Sequence, residues 1–263
     1  MPPVFSSPIP AQSPIISIIL PCFRAGEYAG KSIDAVANAF HGVDGGFEIV
    51  AVEDGSSDGS VEILQELART RPWLRVVVHS ENHGKGRAIL SGFREARGTF
   101  VVMNDIDLQY DIDDMRSCYQ ELSNGSADLV IGSRMHPDSM YHIRSRQIRY
   151  IFTRHTYSRA LNLAIRAFFL PGVYDTQCGL KGFSRPFVDI INLGLPVIEG
   201  FAFDIELLVI ARENGFAISE IPVHFRYTDI PSTVKFVKTA GRLSMDLLRI
   251  FAHRLTGRYT KKK

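Results

Sequence analysis

The chain of 263 residues is 45% hydrophobic, 22% charged and 10% aromatic, a balance that supports a sizeable folded core and excludes a disordered or fibrous protein. Its formal net charge of +2 conceals a division: residues 134–170 hold seven Arg against Asp138, residues 234–263 hold nine Lys and Arg against Asp246, and the rest of the chain sums to −12. Such a split fits either a solvated basic face or an anionic partner for the C-terminal half, whether lipid phosphate, a membrane surface or nucleic acid.

Residues 1–14 carry Pro2, Pro3, Pro8, Pro10 and Pro14 and are expected to be a flexible, non-helical segment. They lack the basic start and apolar run of a signal peptide, so a cytoplasmic location is expected. No apolar stretch approaches the roughly 20 residues that span a bilayer, so contact with a membrane is expected to be peripheral. Cys22, Cys118 and Cys178 show no paired spacing and suggest neither a disulfide framework nor a zinc site. From residue 15 onward, β-rich runs at 16–21, 48–54, 75–80, 99–105 and 128–133 alternate with segments of helical period at 27–41, 57–71, 84–97 and 111–123. The runs are apolar throughout, as in parallel strands covered on both faces, which predicts an α/β fold with a mostly parallel central sheet flanked by helices.

Beyond Arg134 the rhythm changes. An Arg-rich, aromatic and aliphatic stretch covers 144–170, a Gly/Cys turn covers 175–183, and a helix is expected near 203–214. An edge strand at 218–225 precedes a basic amphipathic helix at 234–258. The expected organisation is one domain over 15–230, followed by a basic helix and tail at 231–263.

Ligands in open parallel sheets gather beyond the C-terminal strand ends, and here those ends are polar. Asp105 and Asp107 flank one residue after an apolar run, so an extended chain points both carboxylates to one side, able to share Mg²⁺ or Mn²⁺ with substrate phosphates. Acidic pairs in this position also serve merely as helix caps. In Glu53-Asp54-Gly55-Ser56-Ser57-Asp58-Gly59, Asp58 is expected to cap the next helix, whereas Asp54 at the strand tip can accept hydrogen bonds from a base or ribose. Asn82-His83-Gly84-Lys85-Gly86 offers backbone N–H groups and the Lys85 cation at a helix start, suited to an anion.

Taken together, residues 52–59, 82–88 and 105–109 are similar in order and spacing to glycosyltransferase family 2, of the GT-A fold. Gly132-Ser133-Arg134, the stretch 175–183 and Phe203-Asp204-Ile205-Glu206-Leu207-Leu208 resemble its dolichyl-phosphate glucosyltransferase and dolichol-phosphate mannose synthase branch. The resemblance spans about residues 15–230, and the 175–183 stretch favours the glucosyltransferase side. It implies an inverting hexose transfer from a nucleotide sugar, UDP-glucose before GDP-mannose, to a polyprenyl phosphate. It further implies that Asp54 contacts the nucleotide, that Asp105 and Asp107 hold diphosphate and metal, that Gln109 lies near metal or sugar, and that Arg134 meets a phosphate. Pro21-Cys22-Phe23-Arg24-Ala25 stands where the family has Pro-x-Tyr-Asn-Glu, and Glu53-Asp54 where it has Asp-Asp. Pro21, Phe23 and Glu53 thereby fall in the nucleotide pocket.

A phosphate monoester has a second pKa near about 6 and is largely dianionic at neutral pH, so it can attack without a base. It needs positioning and charge compensation, which Arg134, Arg146 and neighbouring Arg residues can supply; half or more of them equally suit the outer face of a helix. A hydroxyl acceptor would instead require a base, with Glu199, Asp204 and Glu206 as candidates. A nucleotide-binding scaffold without activity is a further reading, motivated by the altered residues at 21–25 and 53. Nucleic acid is not expected as a partner, because no stacking-aromatic pattern accompanies the basic runs.

Overall fold

The computed structural model describes residues 4–6, 13–142, 165–166, 169–198, 200, 202–226 and 236–260. Its centre is an eight-stranded sheet. After β1 (Val4–Ser6), its first half follows the expected alternation: β2 (Ile16–Cys22), α1 (Ala29–Phe40), β3 (Phe47–Asp54), α2 (Ser60–Thr70), β4 (Leu74–His79), α3 (Lys85–Glu95), β5 (Phe100–Met103), α4 (Ile112–Ser123) and β6 (Leu129–Ser133). The second half adds β7 (Met140–His142), β8 (Lys181–Ser184), α5 (Arg185–Asn192), α6 (Phe203–Glu213), β9 (Ile218–Pro222), β10 (His224–Arg226) and α7 (Phe236–Leu255). The strand order is β1-β4-β3-β2-β5-β8-β6-β9, with β10 and β7 forming a small separate pair.

Strands β2 to β5 are parallel to one another, and their apolar runs are buried on both faces. Ile16, Ile18, Ile19, Leu20, Ile49, Val50, Val52, Val101 and Val102 have no exposed surface. Each such side chain contributes about 1.5–3 kcal/mol when fully buried, which explains why these segments form the centre of the sheet. Helix α4 starts where Asp111 and Asp114 form a reciprocal capping box. Helix α2 departs from expectation: its N-cap is Gly59, at φ +83°, and Asp58 supports the first turn from one position earlier, accepting from the N–H and hydroxyl of Ser60.

Three further differences have local causes. Val4–Ser6, inside the segment expected to be flexible, pairs antiparallel with Val77–Arg75 and covers what would otherwise be the open edge of β4. The expected turn at 175–183 runs into β8, inserted antiparallel between β5 and β6; the short Lys-Gly-Phe-Ser run lacks the apolar pattern that marks the other strands. The expected edge strand at 218–225 is two strands, β9 parallel to β6 and β10 paired with β7.

Candidate active site

Chain order places β3 and β4 on one side of β2, and β5 on the other. The sheet direction of travel therefore switches between β2 and β5, and the crevice beyond their C-terminal ends is where an open α/β sheet binds ligands. Residues 21–24 leave β2 and residues 104–109 leave β5 at this point.

The β5 end makes a tight turn in which the N–H of Leu108 donates to the Asp105 carbonyl at 3.0 Å. Leu108 itself sits at φ +49°, a left-handed conformation uncommon for a residue with a branched side chain and found disproportionately at functional sites. The turn folds Gln109 back, so that its Nε2 donates to Asp107 Oδ2 at 2.6 Å. Lys85, at the start of α3, reaches across and places Nζ 2.5 Å from Asp105 Oδ1. Burial opposes its charge, but Asp105, then Asp204 and Asp107, outweigh it and hold the ammonium above its ordinary range. For Asp107, burial and then the neighbouring Asp105 charge push the carboxyl up against the Gln109 hydrogen bond and Lys85.

The Asp105 charge works against ionisation of Asp107, a repulsion that a hard cation relieves, and the Lys85 ammonium, paired with Asp105, fills part of that role here. Asp105 and Asp107 fit a Mg²⁺ or Mn²⁺ ion held by one or two carboxylates and completed by substrate phosphates; among the described residues, no group of three or more His, Cys, Asp or Glu side chains is placed to hold a metal ion. Gly179 packs directly beside the pair: a Cβ at that position would stand 2.4 Å from Asp105 Oδ2 and push that carboxylate aside.

The β3 end is organised inward. Glu53, fully buried, accepts from the N–H groups of Gly55 and Ser56, and Gly55 adopts φ +69° where a Cβ would overlap the backbone of Glu81. Asp54 is opposite His79 in the β3–β4 register, and its Oδ1 lies 2.7 Å from His79 Nδ1. The same carboxylate accepts from His83 N and Gly84 N at 3.0 and 2.7 Å, while Asn82 Nδ2 donates to the Asp54 carbonyl. Asp54, expected to meet the nucleotide, therefore moulds the 82–84 turn that delivers Lys85. Pro21 and Phe23 line the β2 end half-buried; Arg24, at φ +53°, lays its guanidinium 5.2 Å from the Phe23 ring centre and donates its N–H to Ser56.

Arg134, expected to meet a phosphate, is gripped by Asp175, with Nε 2.7 Å from Oδ2 and Nη2 2.9 Å from Oδ1. Asp175 is placed in turn by Glu220, which accepts from the N–H groups of Tyr174 and Asp175. Arg146 and Glu199 lie outside the described residues.

Sequence reasoning did not single out Tyr28 or His79, and met Lys181 only as one residue of the 175–183 stretch, with no role of its own. Tyr28 stands at the start of α1, and its hydroxyl is pushed up to about 12, first by burial and then by Asp107. Lys181 is fully buried in β8, donating to the Cys178 carbonyl and pairing with Asp204 at 2.6 Å. A lysine in a short strand carries no sequence signal for this role; only the insertion of β8 beside β5 brings it there.

Residues 17–190 match the family model described as Glycosyl transferase family 2. Dolichyl-phosphate beta-glucosyltransferase ALG5A of Trichomonas vaginalis is 30% identical over 246 residues, 89% of this chain and 72% of that protein. Dolichyl-phosphate beta-glucosyltransferase ALG5C of the same organism is 27% identical over 220 residues, and the match covers 82% of this chain but only 63% of the relative's length. Glucosyl-3-phosphoglycerate synthase from Mycobacterium tuberculosis, solved with Mn²⁺, UDP and glucosyl-3-phosphoglycerate, superposes with a TM-score of 0.64 at 20% identity, covering 94% of this chain and 88% of that one. That likeness is one of fold, the GT-A fold.

Proposed function

The chain belongs to glycosyl transferase family 2, and from that premise we propose that it transfers a hexose, with inversion, from a nucleotide sugar to a polyprenyl phosphate at the cytoplasmic face of a membrane. UDP-glucose is the favoured donor and GDP-mannose the next. The names of the two Trichomonas relatives support a dolichyl-phosphate acceptor and glucose.

The observation that carries the acceptor class is the state of Asp204 and Glu206, the two of the three candidate bases for a hydroxyl acceptor that lie among the described residues. Glu206 is fully buried and accepts from Val197 N, Ile198 N and Tyr259 Oη. Asp204 is paired with Lys181. A dianionic phosphate needs neither: one of its oxygens forms the new bond to the anomeric carbon while the bond to the nucleoside diphosphate breaks, and no proton moves.

In this reading Lys85 and the N–H groups at the start of α3 bind donor phosphate. Asp105 and Asp107 hold the divalent cation, with Gln109 steadying Asp107; when bound, that ion supplies Lewis-acid stabilisation of the departing diphosphate. Glu53 and Asp54 shape the nucleotide pocket with Pro21 and Phe23 through the turns they hold. Arg134, oriented by Asp175, and Arg146 are assigned to the acceptor phosphate.

The test is transfer from UDP-glucose, GDP-mannose and UDP-N-acetylglucosamine to a short polyprenyl phosphate with Mg²⁺ or Mn²⁺. Lipid-linked sugar made by the wild type and reduced by orders of magnitude in Asp107→Ala is expected. Nucleotide binding without transfer to this acceptor would sink the polyprenyl reading and leave a different acceptor or an inactive scaffold.

A further inference from the structure

No helix among the described residues is long and apolar enough to cross a membrane, yet α7 leaves an uncovered apolar face. Leu248, Leu255 and Met245 are 70%, 72% and 55% exposed, while Phe251 beside them packs edge-on against Phe169. With Gly241 and Ala252, also exposed, positions 241, 245, 248, 252 and 255 recur every three or four residues, so they form one stripe along a helix. The opposite side is the packed one: Leu243, Asp246 and Ile250 are buried.

We propose that this stripe is a docking surface for an anionic lipid bilayer, with α7 lying in the plane of the interface. Charge selects this occupant over a second copy of the chain. Residues 234–263 carry nine Lys and Arg against one Asp, so apposing two copies across the same face would bring two strongly basic segments together, whereas an anionic leaflet attracts them. The role of this docking in catalysis rests on the polyprenyl-phosphate reading; the exposed stripe and the charge that selects its occupant do not.

The inner side of the same segment explains why docking there matters. A Cβ on Gly200 would stand 3.5 Å from Asp246 Oδ2 of α7. Just past the helix, Tyr259, fully buried among exposed neighbours, donates its hydroxyl to Glu206 Oε1 at 2.7 Å. Glu206 in turn holds the N–H groups of Val197 and Ile198, and the helix it belongs to carries Asp204 in its first turn. The membrane-facing helix is thus fastened to the loop and helix that border the Lys181–Asp204 side of the site, and all of it lies beyond the residues 17–190 that match the family model.

Co-sedimentation of the full chain with vesicles of phosphatidylcholine alone, or mixed with phosphatidylglycerol, both free of polyprenyl phosphate, reads docking without reference to transfer. Binding to the anionic vesicles that weakens with added salt is expected, and Leu248→Glu/Leu255→Glu should weaken it by about tenfold or more. Leu248→Gln/Leu255→Gln, which adds no charge, should weaken it in the same direction. Both variants should keep the wild-type melting temperature and wild-type turnover on any water-soluble acceptor the enzyme uses. Binding unchanged in both variants overturns the proposal, as does no binding to anionic vesicles, or a dimer in solution that these substitutions dissociate. Vesicle binding with no transfer activity would sink the proposed reaction and leave the docking surface standing.

Discussion

His79 faces Asp54 because β3 and β4 pair in that register, and its ring is enclosed between that carboxylate and Ser91, whose Oγ lies 2.9 Å from Nε2. A proton on Nδ1 donates to Asp54, and the Ser91 hydroxyl meets Nε2, so the two neighbours fix the orientation of the ring. The constellation looks like a nucleophilic triad in outline, but all three groups are buried, and its product is a rigid Asp54 that holds the 82–84 turn. His79→Phe should therefore destabilise the fold by about 1–3 kcal/mol, through loss of a donor to a buried carboxylate. It should also weaken nucleotide binding through displacement of Lys85. Ser91→Ala should cost less, about 0.5–1.5 kcal/mol. Calorimetric unfolding and nucleotide titration check both; a His79→Phe protein unchanged in each would remove His79 from the support of the site. The sequence makes Asp54 conspicuous as a strand-tip acid, but the direction of its oxygens depends on a histidine 25 residues away, and no spacing rule reports that contact.

At the level of elements, the first four helices are legible from sequence because apolar period and turn residues agree, as at α4 with its capping box. What is not legible is β8, whose four residues are buried by position rather than by pattern. The Lys181 ammonium tolerates that position only because Asp204 and the Cys178 carbonyl receive it. The C-terminal turn is a second case: Tyr259 stands alone in a polar stretch, and its value lies in the hydroxyl that reaches Glu206. Burial pushes the Glu206 carboxyl up, against the donors from Tyr259, Ile198 and Val197. Tyr259→Phe keeps the ring in its cavity and removes one donor from a buried carboxylate, so it should cost about 1.5–3 kcal/mol. Hydrogen exchange at the Val197 and Ile198 amides should speed up more than at the amides of β2. An equal change, or none, at both places would show that the hydroxyl does not secure the loop.

Across the whole molecule, the acidic part of the chain contains the polar ends of β2 to β5, and Arg134, the first residue of the Arg-rich stretch, is held by Asp175. The Arg134–Asp175 pair joins the two ends of the Arg-rich stretch, tying the residues after β6 to the turn before β8. Burial raises the Asp175 carboxyl, but attraction and hydrogen bonds from Arg134 prevail and hold it below the usual carboxylate range. A depressed folded pKa means that the pair's contribution is fully present above the unfolded value of about 3.9 and is lost as pH falls through the folded one. Asp175→Asn leaves the guanidinium without its counter-charge, and with Arg134 29% and Asp175 7% exposed the loss at neutral pH should be about 3 kcal/mol. The difference between wild type and variant should stay constant from pH 7 down to about 5, then shrink as the wild-type carboxylate is protonated below about 4. Denaturant unfolding across that range measures it, and a difference that grows toward acid pH would mean that Asp175 is not the anchor of this closure. If the closure also orients Arg134 toward the acceptor phosphate, the same substitution should raise the KM for the polyprenyl phosphate more than that for the nucleotide sugar, because the proposed donor side is built on β2 to β5 and does not depend on this pair.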